Sequence, residues 1–409
     1  MTSTVFSLDA YASAGIGVLA LFLGLFLTGK VPFLKRFCIP APVSGGLLVS
    51  LLTLFLYGVF GIECSFDGAV KDLCMMLFFT SVGFQSDLKV LRKGGKLLAV
   101  MIGLVTVLIV AQNLISVGIA QGLDIDPLFG MAAGSIPMSG GHGTAGGFSP
   151  LLEGLGLAGA SSITMAAATF GLVAGSLLGG PLGEALIRRH HLSEPSANND
   201  AISGEVFPES LAEDAPSGSK SFQEYLRGAC ILIIAMSLGT GLSRLLAMTG
   251  ITFPTYFGSL LVACILRNLC GLSPRWTAKL HVGAIVSIGD VCLQLFLGMA
   301  MASLRLWELA SLALPLLLIL VAHVTFLALF GAFVAFPLLG KEYDSAVLVS
   351  GLCGFGLGAT PNAMANMSAV CFKYRYAVKP FIIVPIVGAM FVDIINTGII
   401  TLFLNFLNR

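Results

Sequence analysis

The sequence predicts an all-α integral membrane protein, and three observations predict it. Of the 409 residues, 56% are hydrophobic and only 11% are charged, with a mean hydropathy of +0.96. A soluble domain carries about 25% charged residues. Ten apolar segments come close to the length needed to cross a hydrocarbon core about 30 Å thick. Among them lie two stretches too polar and too rich in glycine for ordinary spans: 134–148, GSIPMSGGHGTAGGF, and 351–367, GLCGFGLGATPNAMANM. No basic stripe with interleaved aromatics is present, which argues against nucleic acid as a partner. The nine cysteines are scattered singly, mostly in apolar runs. They read as small packing residues rather than a disulfide framework or a metal set.

The expected spans are 10–27, 42–60, 73–84, 97–120 and 163–187, then 228–248, 253–269, 284–304, 310–338 and 380–407. The first has its positive charge after the apolar run rather than before it. It therefore reads as a transmembrane helix with an outside N-terminus, not a cleaved signal. The third is short and can begin before Asp72. Lysine and arginine fall in alternate loops, at 30–36, 89–96, 188–227, 267–279 and 341–379; only Lys71, Arg244, Arg305 and Arg409 lie on the other side. That bias puts both termini outside and the central loop in the cytoplasm.

The same bias fixes the path of the glycine-rich stretches. If either crossed the membrane, every later loop would change sides. The first, within 129–148, is expected to dip in from outside and return; the second, within 350–370, from inside. Non-helical backbone at such depth requires protein or a water-filled cavity around it. Residues 190–222 form a linker rich in Ser, Pro, Asn and acid, expected to be flexible. His190 and His191, beside Arg188 and Arg189, read as a solvated helix end rather than a metal pair.

The two halves, 1–189 and 223–409, resemble each other. Asp72-Leu-Cys-Met-Met-Leu-Phe matches Asp290-Val-Cys-Leu-Gln-Leu-Phe, Gly45-Gly-Leu-Leu-Val matches Gly258-Ser-Leu-Leu-Val, and Gly143-Thr144 lies opposite Ala359-Thr360, all at nearly one offset. Each half has five spans, an odd number, so the repeats are inverted. Inverted repeats with broken segments in equivalent places are a signature of secondary transporters.

Ser139, Gly140, Gly141, His142, Gly143 and Thr144 offer closely spaced backbone N–H groups with a hydroxyl at each end. Glycine allows close backbone approach, and a helix starting after such a loop presents a positive dipole end to an anion. No Gly-Lys-Ser/Thr follows, so a nucleotide loop is not indicated. The plainer reading, glycines that merely permit tight helix packing, does not account for a histidine and two hydroxyls. His142 can touch substrate, relay a proton, or hydrogen-bond the opposite loop. In the second stretch, Pro361 marks a helix break at Thr360, Pro361 and Asn362, with Asn366 beyond. Free carbonyls, the threonine hydroxyl and the asparagine amide are hard ligands that suit sodium.

Asp290 and Asp393 are the acids well inside spans, and buried acids in membranes default to function. Asp393 and Asn396 share a helix face at i and i+3 and read as a cation-ligand pair. Asp290 can instead pair with Arg267 or cap a helix. His323, alone in an apolar run, reads as a packed, hydrogen-bonded core residue. Arg244 and Arg267 can snorkel from span ends. No basic side chain is then left at the midplane to hold an anion.

These residues resemble the bacterial sodium/glutamate symporter family. The resemblance rests on Gly140-Gly-His-Gly-Thr144 and Gly354-Phe-Gly-Leu-Gly-Ala-Thr-Pro361. It extends to Ile39-Pro-Ala-Pro-Val-Ser-Gly-Gly46, Leu306-Trp-Glu-Leu309 and Val384-Pro-Ile-Val-Gly-Ala389. It implies two inverted five-helix repeats with re-entrant loops, sodium-coupled L-glutamate uptake, Na+ as coupling ion, a bacterial inner-membrane homodimer and a moving core. Substrate contacts are then expected at Ser139, Gly140, Gly141, His142, Gly143, Thr144, Gly358 and Thr360. Sodium contacts are expected at Thr360, Pro361, Asn362, Asp393 and Asn396. One departure is Phe148, where the family commonly has tryptophan. The rival readings are a sodium- or proton-coupled carrier of another small dicarboxylate or amino-acid anion, and a gated channel. An enzyme is disfavoured, because no nucleophile–base pair lies in reach.

Overall fold

The computed structural model describes residues 4–37, 39–87, 95–192, 222–249, 253–273, 279–309 and 312–407. Apart from its ends, the expected linker lies outside the described residues. In the first half, α1 (Ala10–Lys30) starts where the Asp9 carboxylate accepts the Ala12 N–H at 2.7 Å, an N-cap that satisfies one orphan donor. A short α2 (Pro32–Arg36) leads to α3 (Ala41–Phe60), which stops at Gly61 in the left-handed region. Then come α4 (Ala69–Gln85), α5 (Gly95–Gly122), the pieces α6 (Pro127–Ala133), α7 (Ser135–Met138) and α8 (Gly141–Gly154), and α9 (Ala160–Arg189).

The second half follows with α10 (Phe222–Ala247), α11 (Phe257–Cys270), α12 (Val282–Ala302) and the short α13 (Leu306–Leu309). Next, α14 (Ala313–Phe330) runs through a π-helical turn (Gly331–Ala335) into α15 (Phe336–Leu338). The hairpin α16 (Tyr343–Leu357) and α17 (Thr360–Lys373) precedes α18 (Val378–Ile386), a second π-helical turn (Val387–Phe391) and α19 (Val392–Leu407).

Among the described residues, seven helices are long and apolar enough to cross a membrane: α1, α3, α5, α9, α10, α12 and the α14–α15 run. The other three expected spans fall on α4, with 17 residues, on α11, with 14, and on the run from α18 through the π turn to α19. Large apolar side chains such as Phe22, Phe26, Leu52, Phe55, Leu238, Leu314 and Phe333 are exposed. That outer surface suits lipid and not water.

The described residues are mostly helical, in line with the all-α membrane class expected. One small addition stands beside the helices: Thr4–Leu8 (β1) and Ile62–Phe66 (β2) pair in parallel, Thr4 opposite Ile62 and Leu8 opposite Phe66. Hydropathy windows of span length average over five-residue strands, so neither stood out. One expectation is corrected: the glycine-rich stretches are not irregular backbone. Each is helical with a short break, at Gly134 and 139–140 in the first and at 358–359 in the second. Helical pieces keep most backbone groups paired within the chain, which limits the unpaired ones to the breaks.

The helices sort into two packed groups. One comprises α1, α3 and α4 with α10, α11 and α12; the other comprises α5 to α9 with α14 to α19. Each half of the chain thus gives three helices to the first group and its broken hairpin to the second. The last long helix of each half braces the other half's hairpin. α9 lies along α16 and α17, where Asn362 Nδ2 donates to Leu172 O at 2.8 Å and Asn366 Nδ2 to Gly175 O at 2.9 Å. α19 lies against α5, α6 and α7, and Asn396 Nδ2 donates to Ser135 O at 3.0 Å.

Candidate functional site

Where the two hairpin breaks meet, between the helix groups, is a cavity of about 340 Å³. Ser139 to Thr144 form one edge and Gly358 to Asn362 the other. Asp393, Val392 and Gly388 come from the last span, Leu172 from α9, Asp290, Leu293, Gln294 and Leu297 from α12, and Phe78, Phe79, Val82 and Gln85 from α4. Among these described lining residues there is no lysine or arginine. The volume and the mix of apolar walls with a few convergent polar groups fit a small-solute site.

The breaks touch directly. Gly141 has φ +61, and a Cβ there would lie 2.9 Å from Gly358 O. Glycine is required on both counts: the left-handed conformation and the close approach. The Ser139 hydroxyl donates to Gln112 Oε1 at 2.7 Å and lies 3.4 Å from Gly356 O, while Gln112 Nε2 donates to the same carbonyl at 2.7 Å. One side chain of α5 therefore ties both hairpins together. Its neighbour Asn113 accepts the Ser135 N–H at 3.0 Å, satisfying a donor freed at the Gly134 break.

His142 is 6% exposed, lines the cavity and contacts Thr169 Oγ1 of α9 at 3.0 Å. Its bond runs to α9 and not to the opposite hairpin. α17 begins at Thr360 with Pro361 in its first turn, a position where the missing N–H costs nothing. Thr360, Pro361 and Asn362 all face the cavity, and the buried Asn362 Oδ1 has no hydrogen-bond partner among the described residues.

Asp393 lines the cavity, but Asn396 is fully buried behind it against α7. The two share a helix but not the cavity surface, because one turn of α19 carries Asn396 towards Ser135. Arg267 pairs with Asp87 at 3.1 Å, so Asp290 faces the cavity instead of that arginine. His323 is buried as expected, with its ring against the Ala133 backbone. Phe148 is buried with its ring edge-on to Tyr256 at 6.0 Å.

Sequence reasoning missed Gln85, Gln112, Asn113 and Gln294. The adjacent amides Gln112 and Asn113 midway along an apolar 28-residue helix were a usable signal, since polar groups at such depth need partners. Gln294, one turn after Asp290, was another.

A family model for the sodium/glutamate symporter matches residues 6–376. The chain belongs to the sodium/glutamate symporter family. It is 42% identical over 403 residues to the sodium/glutamate symporter of Escherichia coli (strain K12), covering 98% of each chain. The symporter of Shigella flexneri gives the same figures. That of Haemophilus influenzae is 35% identical over 396 residues, 97% of each. The family was legible in the two glycine-rich motifs, and those motifs are what the fold brings together. As a member of a symporter family, the chain is a multi-pass membrane transporter rather than an enzyme.

Proposed function

We propose that this chain carries L-glutamate into the cell together with sodium, and that the cavity at the hairpin junction is where both are handled. The observation that carries the reading is the meeting of Gly141 with Gly358 beside Asp393, in a chain of symporter-family sequence. With no basic side chain among the described lining residues, the substrate carboxylates fall to the backbone N–H groups and hydroxyls of Ser139 to Thr144, with Gly358 and Thr360. Sodium, held by Thr360, Pro361, Asn362, Asp393 and Asn396, offsets the charge of substrate and aspartate.

The architecture in this reading is ten spans in two inverted repeats, 1–189 and 223–409, joined by a cytoplasmic linker at 190–222. The segments 129–148 and 350–370 enter from opposite faces. Three contacts support it. Ser139 meets Gly356, 217 residues on; Gly141 meets Gly358; and the Cys74 and Cys292 thiols meet across α4 and α12. In each case a residue meets the one about 217 residues on, at its repeat-equivalent place, which is what a two-fold axis would bring about. The glycines Gly45 and Gly258, matched in sequence, both sit at helix crossings: Gly45 against the Ala20 carbonyl and Gly258 against the Gly239 carbonyl. Outside termini follow from the lysine and arginine bias. A bacterial inner-membrane homodimer follows from the resemblance.

The test is uptake by reconstituted protein under a sodium gradient and, separately, a proton gradient, with glutarate, succinate and aspartate as competitors. Sodium-driven uptake that glutamate saturates and dicarboxylates compete for only weakly is expected. Proton-driven uptake, or preference for a dicarboxylate, would give the site to the rival carrier.

A further inference from the structure

The chain leaves the first helix group for the second through α13, a single helical turn between α12 and α14. This turn touches both groups, α3 on one side and α9 on the other. Its two attachments differ in kind. Towards the first group, Trp307 stacks on Tyr57 of α3 with ring centroids 4.3 Å apart and planes at 14°. Arg305, just ahead of the turn, pairs with Glu63 of β2 at 3.1 Å and with Glu308 at 3.5 Å. Towards the second group the contacts are slighter. The Ser162 hydroxyl of α9 donates to Arg305 O at 3.2 Å. Glu308 lies against Gly159, where a Cβ would come 2.9 Å from its Oε2 and 3.2 Å from its Cβ.

The seam between α13 and the second group is polar. A cavity of about 350 Å³ runs along it, lined from the first group's side by Ser65, Lys71 and Ser303 and from the second group by Glu153 and Ser161. Parting the groups there exposes surface that water solvates, without the penalty of exposing apolar surface. Along α8, between the cavity-lining Gly143 and the turn at Gly159, aromatic rings seal the same joint. Phe296 of α12 packs on Gly146 and Tyr256 on Gly147, each too close to admit a Cβ. The central cavity instead reaches Pro40 and Gln85, at the ends of α3 and α4 that the lysine and arginine bias assigns to the cytoplasm.

We propose that α13 is a strap that closes the outer side of the carrier. It rides on the first group through Trp307 and Arg305 and clasps the second through Ser162 and Gly159, and transport requires the clasp to part. The proposal rests on the carrier reading and the orientation argued above, and adds the place where the outer path opens. With the strap clasped, the central cavity faces the cytoplasm. Once it parts, the outer cavity can join the central one. Loosening the clasp raises the share of outward-open carrier, and apparent affinity for outside substrate rises with that share.

The experiment locks the strap. The full-length protein carries Gly159→Cys and Glu308→Cys with Cys64→Ser, because the Cys64 thiol lines the same outer cavity. The Cβ separation of 3.2 Å is near the range of about 3.5–4.5 Å found in disulfides. In proteoliposomes, oxidation by copper phenanthroline is expected to join the pair and stop glutamate uptake, and dithiothreitol to restore it. Neither single variant should respond. A joined carrier that still transports overturns the strap, as does a pair that forms no disulfide. Ser162→Ala and Glu308→Ala loosen the clasp and keep the test open if Gly159→Cys does not fold. Each should lower the half-saturating external glutamate by about three- to tenfold. Thr325→Val, on an exposed face of α14 with its hydroxyl bonded to Val321 O, should match wild type. An unchanged or higher value in the two alanine variants overturns the strap. Uptake that ignores sodium fails the coupling alone; the lock still tests the strap, since it must stop uptake whatever drives it.

Discussion

Gly141 carries the contact between the two hairpin breaks, and it allows no side chain. Gly141→Ala places a Cβ 2.9 Å from Gly358 O at a φ of +61. The left-handed conformation alone costs a non-glycine residue about 1–2 kcal/mol. We expect protein that still elutes as a single species on gel filtration, with glutamate uptake cut by at least about tenfold. Asp393→Asn keeps the shape of the site and removes its charge. Half-maximal sodium for uptake should rise by about tenfold or more, the scale of one interaction with a charged group, about 1.5–3 kcal/mol; a sodium titration of uptake checks this. Gln112→Leu removes the two 2.7 Å bonds that tie the hairpins and leaves the Ser139 hydroxyl and the Gly356 carbonyl only their 3.4 Å contact with each other, a loss of about 1–3 kcal/mol for poorly satisfied buried groups. A lower melting temperature together with impaired uptake is the expected result. Ser139 to Thr144 and Asp393 were legible in the sequence because glycine, histidine and acid are anomalous inside a span. The bracing amide of Gln112 was harder to read. Its role depends on a carbonyl at Gly356, 244 residues away, and spacing along one helix does not show that.

At the scale of elements, helix breaks were easier to read than helix joins. Pro361 and the glycine runs announced the hairpins. The actual break, at 358–359, came within a few residues of the one expected. The π-helical turns at Gly331–Ala335 and Val387–Phe391 have no clear signature, because one extra residue in a turn leaves the apolar run intact. The β1–β2 pairing was missed for a different reason: each strand is five residues long, and its partner lies beyond three helices. The crossing glycines were visible as matched letters, but what they meet was not. Gly45→Leu sets a branched side chain against the Ala20 carbonyl, and Gly258→Leu sets one against the Gly239 carbonyl. Overpacking of this kind costs about 1–3 kcal/mol, so both variants should melt lower than wild type in detergent, by similar amounts if the crossings are equivalent.

For the whole molecule, the cavity lies between the two helix groups, so in the proposed reading substrate and ions are held by one group and faced by the other. The hydropathy count anticipated the membrane class because composition is a bulk property. It could not anticipate which helices pack together, since lipid-facing and core-facing segments are both apolar. The lysine and arginine bias makes a prediction at this scale. Alkaline phosphatase fused to the C-terminus should be active, and a fusion within the 190–222 linker should be inactive. The most direct measurement is equilibrium binding of radiolabelled L-glutamate to the purified protein, in sodium and in choline, for wild type and Gly141→Ala. Saturable binding that needs sodium and disappears in Gly141→Ala is predicted. Binding that is equal in choline, or intact in Gly141→Ala, would contradict a sodium-dependent glutamate site at the hairpin junction.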